Sequence, residues 1–191
     1  MEKIIIIGAG GHGKVVLDIL LKQKQLKKEF DILGFLDDKK DEKIMGYHVI
    51  GFLSDIKKYE NEKNVLFILA FGDNIIREKI AKENKKLKYK TVIHPSVVLG
   101  EECEVGEGTV LKANSVIGPG TKIGKHCIIN SLVSIEQDSL VEDFVHIYPN
   151  VSVYGQNKIK KGITLFSNSS TEQGVTVNKN LNYGEHFRKE R

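Results

Sequence analysis

The sequence predicts two domains: a small parallel α/β domain, then a parallel β-helix built from six-residue repeats. Two observations carry this. Ile93, Leu99, Val105, Leu111, Ile117, Ile123, Ile129, Ile135, Val141, Ile147, Val153, Ile159 and Leu165 stand six apart and are all aliphatic. Ahead of them, short apolar runs alternate with amphipathic segments, starting with Lys3–Ile7 and the loop Gly8-Ala9-Gly10-Gly11-His12-Gly13.

A sustained period of six fits neither a helix period of about 3.6 nor a strand period of about 2. Glycine follows the aliphatic at 100, 106, 118 and 124. Four positions after it stand Cys103, Thr109, Ser115, Thr121, Cys127, Val133, Ser139, Val145 and Val151, all small or β-branched. A large inward residue with a small one near a corner suits a tight prism of short strands. One such unit cannot bury its own face, so the units must stack. Thr171 interrupts the series, Val177 resumes it and Tyr183 is its expected last echo. The polar stretch Ser167-Asn168-Ser169-Ser170-Thr171 is expected to fray, and the charged ending Arg188-Lys189-Glu190-Arg191 to cap the prism or fray.

In the first half, Lys3–Ile7, Ile32–Leu36 and Val65–Phe71 read as strands, Lys14–Lys24 and Asn74–Lys86 as helices, and Lys90–Ile93 as a short strand leading into the repeats. The expected domains are residues 1–88, Rossmann-like, and 89–191, the β-helix.

Composition narrows the function classes. The net charge of +4 comes from 29 Lys and Arg against 25 Asp and Glu. Acidic residues interleave with the lysine clusters around 22–28, 39–43 and 79–90, so the expectation is a solvated surface and no nucleic-acid partner. The mild basic bias also suits an anionic small substrate such as a nucleotide. No apolar run approaches the length of a membrane span, and the start reads as strand and turn instead of a signal peptide. Cys103 and Cys127 are the two cysteines. They read as packing residues of a reduced, cytoplasmic protein.

Gly8-x-Gly10-x-x-Gly13 lies where a phosphate-cradling loop belongs, after a strand and before a helix. Asp37, at the end of the second strand, could accept from a ribose or a base. By itself the motif fits a dinucleotide, another nucleotide, or a bare strand–helix turn. A nicotinamide-dependent oxidoreductase would rest on this motif alone.

The whole order is more specific: I-I-I-I-G-A-G-G-H-G-K-V-V-L-D, then L-G-F-L-D-D, A-F-G-D-N-x-x-R, I-H-P-S, then the hexads. It resembles bacterial sugar acetyltransferases of the sialic-acid O-acetyltransferase type, a group that includes the UDP-4-amino-sugar N-acetyltransferases. The resemblance implies a left-handed β-helix with three hexads per coil. It also implies a homotrimer with sites between subunits, acetyl-CoA as co-substrate, and a nucleotide-sugar held by the α/β domain. Gly10, Gly11, His12 and Gly13 would line that pocket, Asp37 and Asp38 would hold polar groups of the sugar nucleotide, and Gly72 would close the floor. His146 would contact acetyl-CoA near the thioester, and Gly155 and Ser167 would line the pantetheine groove.

The family reads I-E-H-[DE] at its catalytic segment, with histidine as general base. This chain has Ile135-Glu136-Gln137-Asp138. Gln137 takes the base's position but its amide cannot accept a proton at neutral pH, and Asp138 stands where the orienting acid would be. Three readings follow: a slow or silent acetyltransferase of amines or hydroxyls, one using another base with His146 the best candidate, or a non-catalytic sugar-nucleotide-binding or scaffold relative. His94 is expected in a structural turn and His126 exposed at a corner.

Overall fold

The computed structural model describes residues 1–26, 29–38 and 43–188. Lys27, Lys28, Lys39 and Lys40 of the lysine clusters, and the ending 189–191, lie outside the described residues. The chain divides into two compact units, Met1–Val92 and Ile93–Arg191.

In the first unit, strands β1 (Glu2–Ile7), β2 (Phe30–Leu36), β3 (Lys43–Ile44), β4 (Tyr47–Gly51) and β5 (Val65–Leu69) form one sheet in the order β3-β4-β2-β1-β5. All pairs are parallel except β3–β4. Strand β1 is central, and Ile4 to Ile7 are fully buried, which is why this run is apolar without alternation. Helix α1 (Gly11–Gln25) buries Val16, Leu17, Ile19 and Leu20.

Helix α2 (Asn74–Glu83) is capped by Asp73, whose carboxylate accepts the N–H of Ile75 at 2.8 Å and of Ile76 at 3.0 Å. It stops earlier than the periodicity suggests because the Asn84 side chain donates to the Ile80 carbonyl at 2.8 Å. The β3–β4 hairpin and the 3₁₀ turn Leu53–Tyr59 are additions that the apolar pattern does not announce. Residues just past 88 belong with this sheet: Phe67 accepts from Lys90 N–H at 2.8 Å and donates to Lys88 C=O at 2.9 Å.

The second unit is a left-handed parallel β-helix. Two-residue strands from Val92–Ile93 onward make three sheets, and up to the last coil each strand pairs with the one eighteen residues on, as Leu99 with Ile117 and Ile117 with Ile135. The inward aliphatics from Leu111 to Leu165 are buried in one core. The small residues near the corners also serve the backbone. Thr109, Thr121 and Ser139 donate to the carbonyls of Gly124, Glu136 and Tyr154, and Cys103 and Cys127 do the same to Gly118 and Glu142. Each answers a carbonyl of the next coil, tying neighbouring coils together beside the ladder bonds.

At each corner one residue turns through the left-handed region: Glu102, Asn114, His126, Leu132, Asp138, Phe144, Asn150, Gln156 and Asn168 all have φ between 54° and 63°. Asparagine tolerates this well and leucine poorly. Leu132 is 58% exposed at φ 61°, so no packing repays its strain. Leu132→Asn is expected to stabilise the unit by about 1 kcal/mol, read as a higher denaturant midpoint at unchanged slope.

The C-terminal end corrects the reading of a frayed tail. The coil continues through Ser170–Thr171, Thr176–Val177 and His186–Phe187. Thr171 is buried in the prism and its hydroxyl accepts from Asn157 Nδ2 at 2.5 Å and from Tyr154 N–H at 3.0 Å. A polar pair inside the core thus replaces an aliphatic contact. Tyr183 is not the last echo: Leu181 takes the inward place and bridges Leu165, while Tyr183 is exposed. The last pairing is sixteen residues on, not eighteen, Thr171 with Phe187, which shifts the register by two.

Candidate functional site

The glycine loop is fixed from both sides. A Cβ at Gly13 would lie 2.2 Å from the Gly8 carbonyl oxygen, so the first turn of α1 can press onto the end of β1 only with glycine there. Gly10 caps α1 without a side chain, and the space beside Gly10 and Gly11 is open for 4 Å. The start of α1 therefore borders open space, the arrangement that suits an anion.

Asp37 and Asp38 divide their work. Asp37 Oδ2 accepts the N–H of Ala9 at 2.7 Å, tying the end of β2 to the glycine loop. Asp38 Oδ1 accepts the N–H of Leu53 at 2.8 Å, which anchors the start of the 3₁₀ turn. Gly72 is exposed in the loop between β5 and α2. That loop is held by Arg77, 1% exposed, whose guanidinium donates to Phe71 C=O at 2.9 Å, Gly72 C=O at 3.0 Å and Asn74 Oδ1 at 2.7 Å. Its fork of fixed donors suits three convergent oxygens. The sequence places Arg77 on the predicted helix and in the A-F-G-D-N-x-x-R motif and assigns it no role.

In the β-helix, Gln137 borders a cleft of about 290 Å³ with Ser134, Glu136, Ser152, Tyr154, Gly155 and Gln173. Its carboxamide lies over Gly155, where a Cβ would be 2.7 Å from Nε2. Gly155 is thus the floor on which the side chain at 137 rests. Glu136 Oε1 accepts from the Ser134 hydroxyl at 2.9 Å. Asp138 turns the other way: its Oδ1 would be 2.7 Å from a Cβ on Gly120, in the coil before, while Gly155 is in the coil after.

His146 and Ser167 are elsewhere on the prism. Gln137 and Gly155 lie at the corner after the sheet that holds Ser134–Ile135, whereas His146 is a residue of the sheet that holds Ile128–Ile129 and Thr164–Leu165. Ser167 lies at the corner following that second sheet. His146 is 7% exposed, stacks on Tyr148 with ring centroids 4.3 Å apart, and has Nε2 2.9 Å from Asn130 Nδ2. Tyr148 continues to Phe166 and Tyr183 at 5.0 Å steps. Lys112 Nζ donates to Asn130 Oδ1 at 2.6 Å. The 18-residue spacing of 112, 130, 148 and 166 is the signal that could have placed Lys112 and Asn130 beside this ladder.

Burial pushes the Lys112 ammonium down from its ordinary 10.5 to about 8, with a neutral amide as its acceptor. The unfolded chain therefore binds more protons than the folded one between those values. Stability is expected to rise with pH across that window and to stay flat in this respect below it. The slope should vanish in Lys112→Met, read from denaturant midpoints between about pH 7 and pH 10.5.

Two other histidines settle simply. His94 Nδ1 accepts the Ser96 N–H at 3.1 Å within a turn. His126 is not exposed as expected: it is 4% exposed and stacks on Phe144 with centroids 5.1 Å apart, because its left-handed corner folds the ring over Gly108. Among the described residues no helix is long and apolar enough to cross a membrane.

The fold and this layout define a hexapeptide-repeat protein with a small α/β domain in front. Residues 3–84 match the family described as the PglD N-terminal domain, and residues 103–136 match the bacterial transferase hexapeptide repeats.

Among its relatives, UDP-N-acetylbacillosamine N-acetyltransferase of Bacillus subtilis is 30% identical over 133 residues, covering 59% of this chain and 52% of that protein. An uncharacterised protein of Acanthamoeba polyphaga mimivirus is 36% identical over 119 residues, 59% of this chain and 23% of its own length. The chain thus spans about half of the first and under a quarter of the second. The acetyltransferase domain of PglB from Neisseria gonorrhoeae, in complex with acetyl coenzyme A, is 25% identical with a TM-score of 0.75 over 98% of this chain and 96% of that one. A variant of GDP-perosamine N-acetyltransferase from Caulobacter crescentus, in complex with CoA and GDP-perosamine, shares the fold at 22% identity and a TM-score of 0.75, over 99% of this chain and 94% of that one.

Proposed function

We propose that this protein is an acetyl-CoA-dependent N-acetyltransferase acting on a nucleotide-activated amino sugar. The observation that carries this is the likeness along nearly the whole chain to an acetyltransferase domain bound to acetyl coenzyme A. The names of the relatives, acting on UDP- and GDP-linked amino sugars, support the substrate class. The open glycine loop takes the sugar nucleotide's phosphates at the start of α1, with Gly10, Gly11, His12 and Gly13 around them. Asp37, already tied to Ala9, and Asp38 order that pocket, and Gly72 lies in its floor. Gly155 and Ser167 border the acetyl-CoA groove. The protein works as a trimer, as the hexapeptide repeats suggest, in which a neighbouring copy supplies what the Gln137 corner and the His146 sheet of one prism do not share.

Gln137 favours nitrogen over oxygen as nucleophile. A neutral amine attacks the thioester carbonyl without prior deprotonation: the C–N bond forms, the C–S bond breaks, and the nitrogen's proton leaves with the thiolate as free coenzyme A. A sugar hydroxyl needs a base at the moment of attack, and a carboxamide is none. Free-thiol release from acetyl-CoA across UDP- and GDP-amino sugars, with sialic acid as the hydroxyl control, tests this. Release with an amino-sugar nucleotide and not with sialic acid is expected. Release with neither removes the enzyme reading and leaves the second one, a sugar-nucleotide-binding scaffold, which Gln137 favours.

A further inference from the structure

We propose that Lys112 and Asn130 are positioning residues that hold His146 as the neutral tautomer protonated on Nδ1, with Nε2 an acceptor, so that His146 is no general base through Nε2. Two partners of Asn130 have fixed hydrogen-bonding roles. The Lys112 ammonium can only donate, and it points at Asn130 Oδ1 from 2.6 Å. The carbonyl of Ile147 can only accept, and it receives Asn130 Nδ2 at 2.8 Å. These two one-way partners leave a single orientation for the amide of Asn130. Its second N–H then faces His146 Nε2 at 2.9 Å, and a donor facing that nitrogen requires a lone pair on it. In a neutral imidazole the proton is then on Nδ1.

A proton on Nε2 would set donor against donor. Turning the amide to avoid that would set Asn130 N–H₂ against the Lys112 ammonium. The Tyr148 phenol belongs to the ring stacked on His146. The strand neighbours Ile128 and Thr164 carry no charge. With Asn130 6% and His146 7% exposed, water is poorly placed to relieve either conflict. The Lys112 ammonium persists at neutral pH, since burial lowers it only to about 8.

In an acetyltransferase, and here the inference rests on the function proposed above, His146 would act as a neutral hydrogen-bond donor beside the thioester. It would not replace the missing base at 137.

The test is the ring-nitrogen spectrum of the ¹⁵N-labelled full chain, with His146 assigned by difference against His146→Gln. At pH 7 the wild type should show a protonated Nδ1 and an unprotonated, hydrogen-bonded Nε2, and the ring should charge only below the ordinary histidine value of about 6.5. Lys112→Arg should keep this signature. Lys112→Met should give mixed tautomers and a ring that charges at higher pH, and a thermal unfolding profile like that of Lys112→Arg shows that the change is local. A wild-type Nε2–H tautomer, a ring that charges at or above its ordinary value, or a Lys112→Met spectrum like the parent's would overturn the proposal. The spectrum needs no turnover. An inert protein with the expected signature would therefore cost the acetyltransferase reading and leave the Lys112–Asn130–His146 arrangement standing.

Discussion

Gln137→His is expected to raise thiol release from acetyl-CoA with an amino-sugar nucleotide by roughly a hundred- to ten-thousand-fold, the usual contribution of one general base. The geometry accommodates the ring. The side chain at 137 already lies flat over Gly155, so an imidazole meets no side chain there and opens into the same cleft of about 290 Å³. The gain should fall toward the lower bound, because Asp138 leans to Gly120 in the coil before and is turned away from a ring resting on Gly155. The effect should be in kcat, with the KM for acetyl-CoA little changed, since the replaced group would act on the proton and not on the coenzyme. The variant's rate should fall as pH drops through the histidine range, in addition to the fall that parent and variant share as the attacking amine is protonated. If parent and variant turn over equally fast, no base is needed at 137 and the amine's own lone pair suffices. If both are inert with every amino-sugar nucleotide, the binding-scaffold reading takes over.

Gly118→Ala is expected to cost about 3 kcal/mol, at the upper end of overpacking effects. A Cβ at 118 would stand 2.6 Å from the backbone nitrogen of Gln137 and 2.8 Å from the carbonyl carbon of Glu136. Both are main-chain atoms of the next coil, so no rotamer change relieves the clash. The coils would have to part at the level of residues 135–138. Gly162→Ala serves as the reference. It has φ 71° with no atom within 4 Å of its added Cβ, and should cost only the left-handed penalty of about 1–2 kcal/mol. The β-helix transition should therefore fall further for Gly118→Ala than for Gly162→Ala in thermal unfolding. Equal losses would mean that the coils slide apart freely and that the close approach carries no energy.

The β-helix was legible in the sequence because its rule is local and repeated. A large aliphatic every sixth residue and a small residue four places later are demanded by every coil, so the pattern accumulates along the chain. The strand–loop–helix opening was legible for the same kind of reason, since four consecutive isoleucines can be buried on both faces only in the middle of a parallel sheet. The substitution of Gln137 at the expected base position was legible as chemistry, because an amide cannot take the proton whatever surrounds it.

The tertiary structure decided what lateral neighbours decide. Asp37 and Asp38 are alike in sequence, yet one ties the glycine loop through Ala9 and the other anchors Leu53, contacts formed across 28 and 15 residues. The reading of Thr171 as a break, Tyr183 as the last echo and His126 as exposed failed for one reason. A polar pair with Asn157, a two-residue shift in the final coil and a ring folded over Gly108 are each set by the neighbouring coil. The surroundings of His146 followed the same logic: Asn130 meets the ring and Lys112 meets Asn130 because the coils stack. A side chain's charge state and hydrogen bonds depend on what the next coil places against it, and a periodicity of six says which residues point inward but not which outward residues meet.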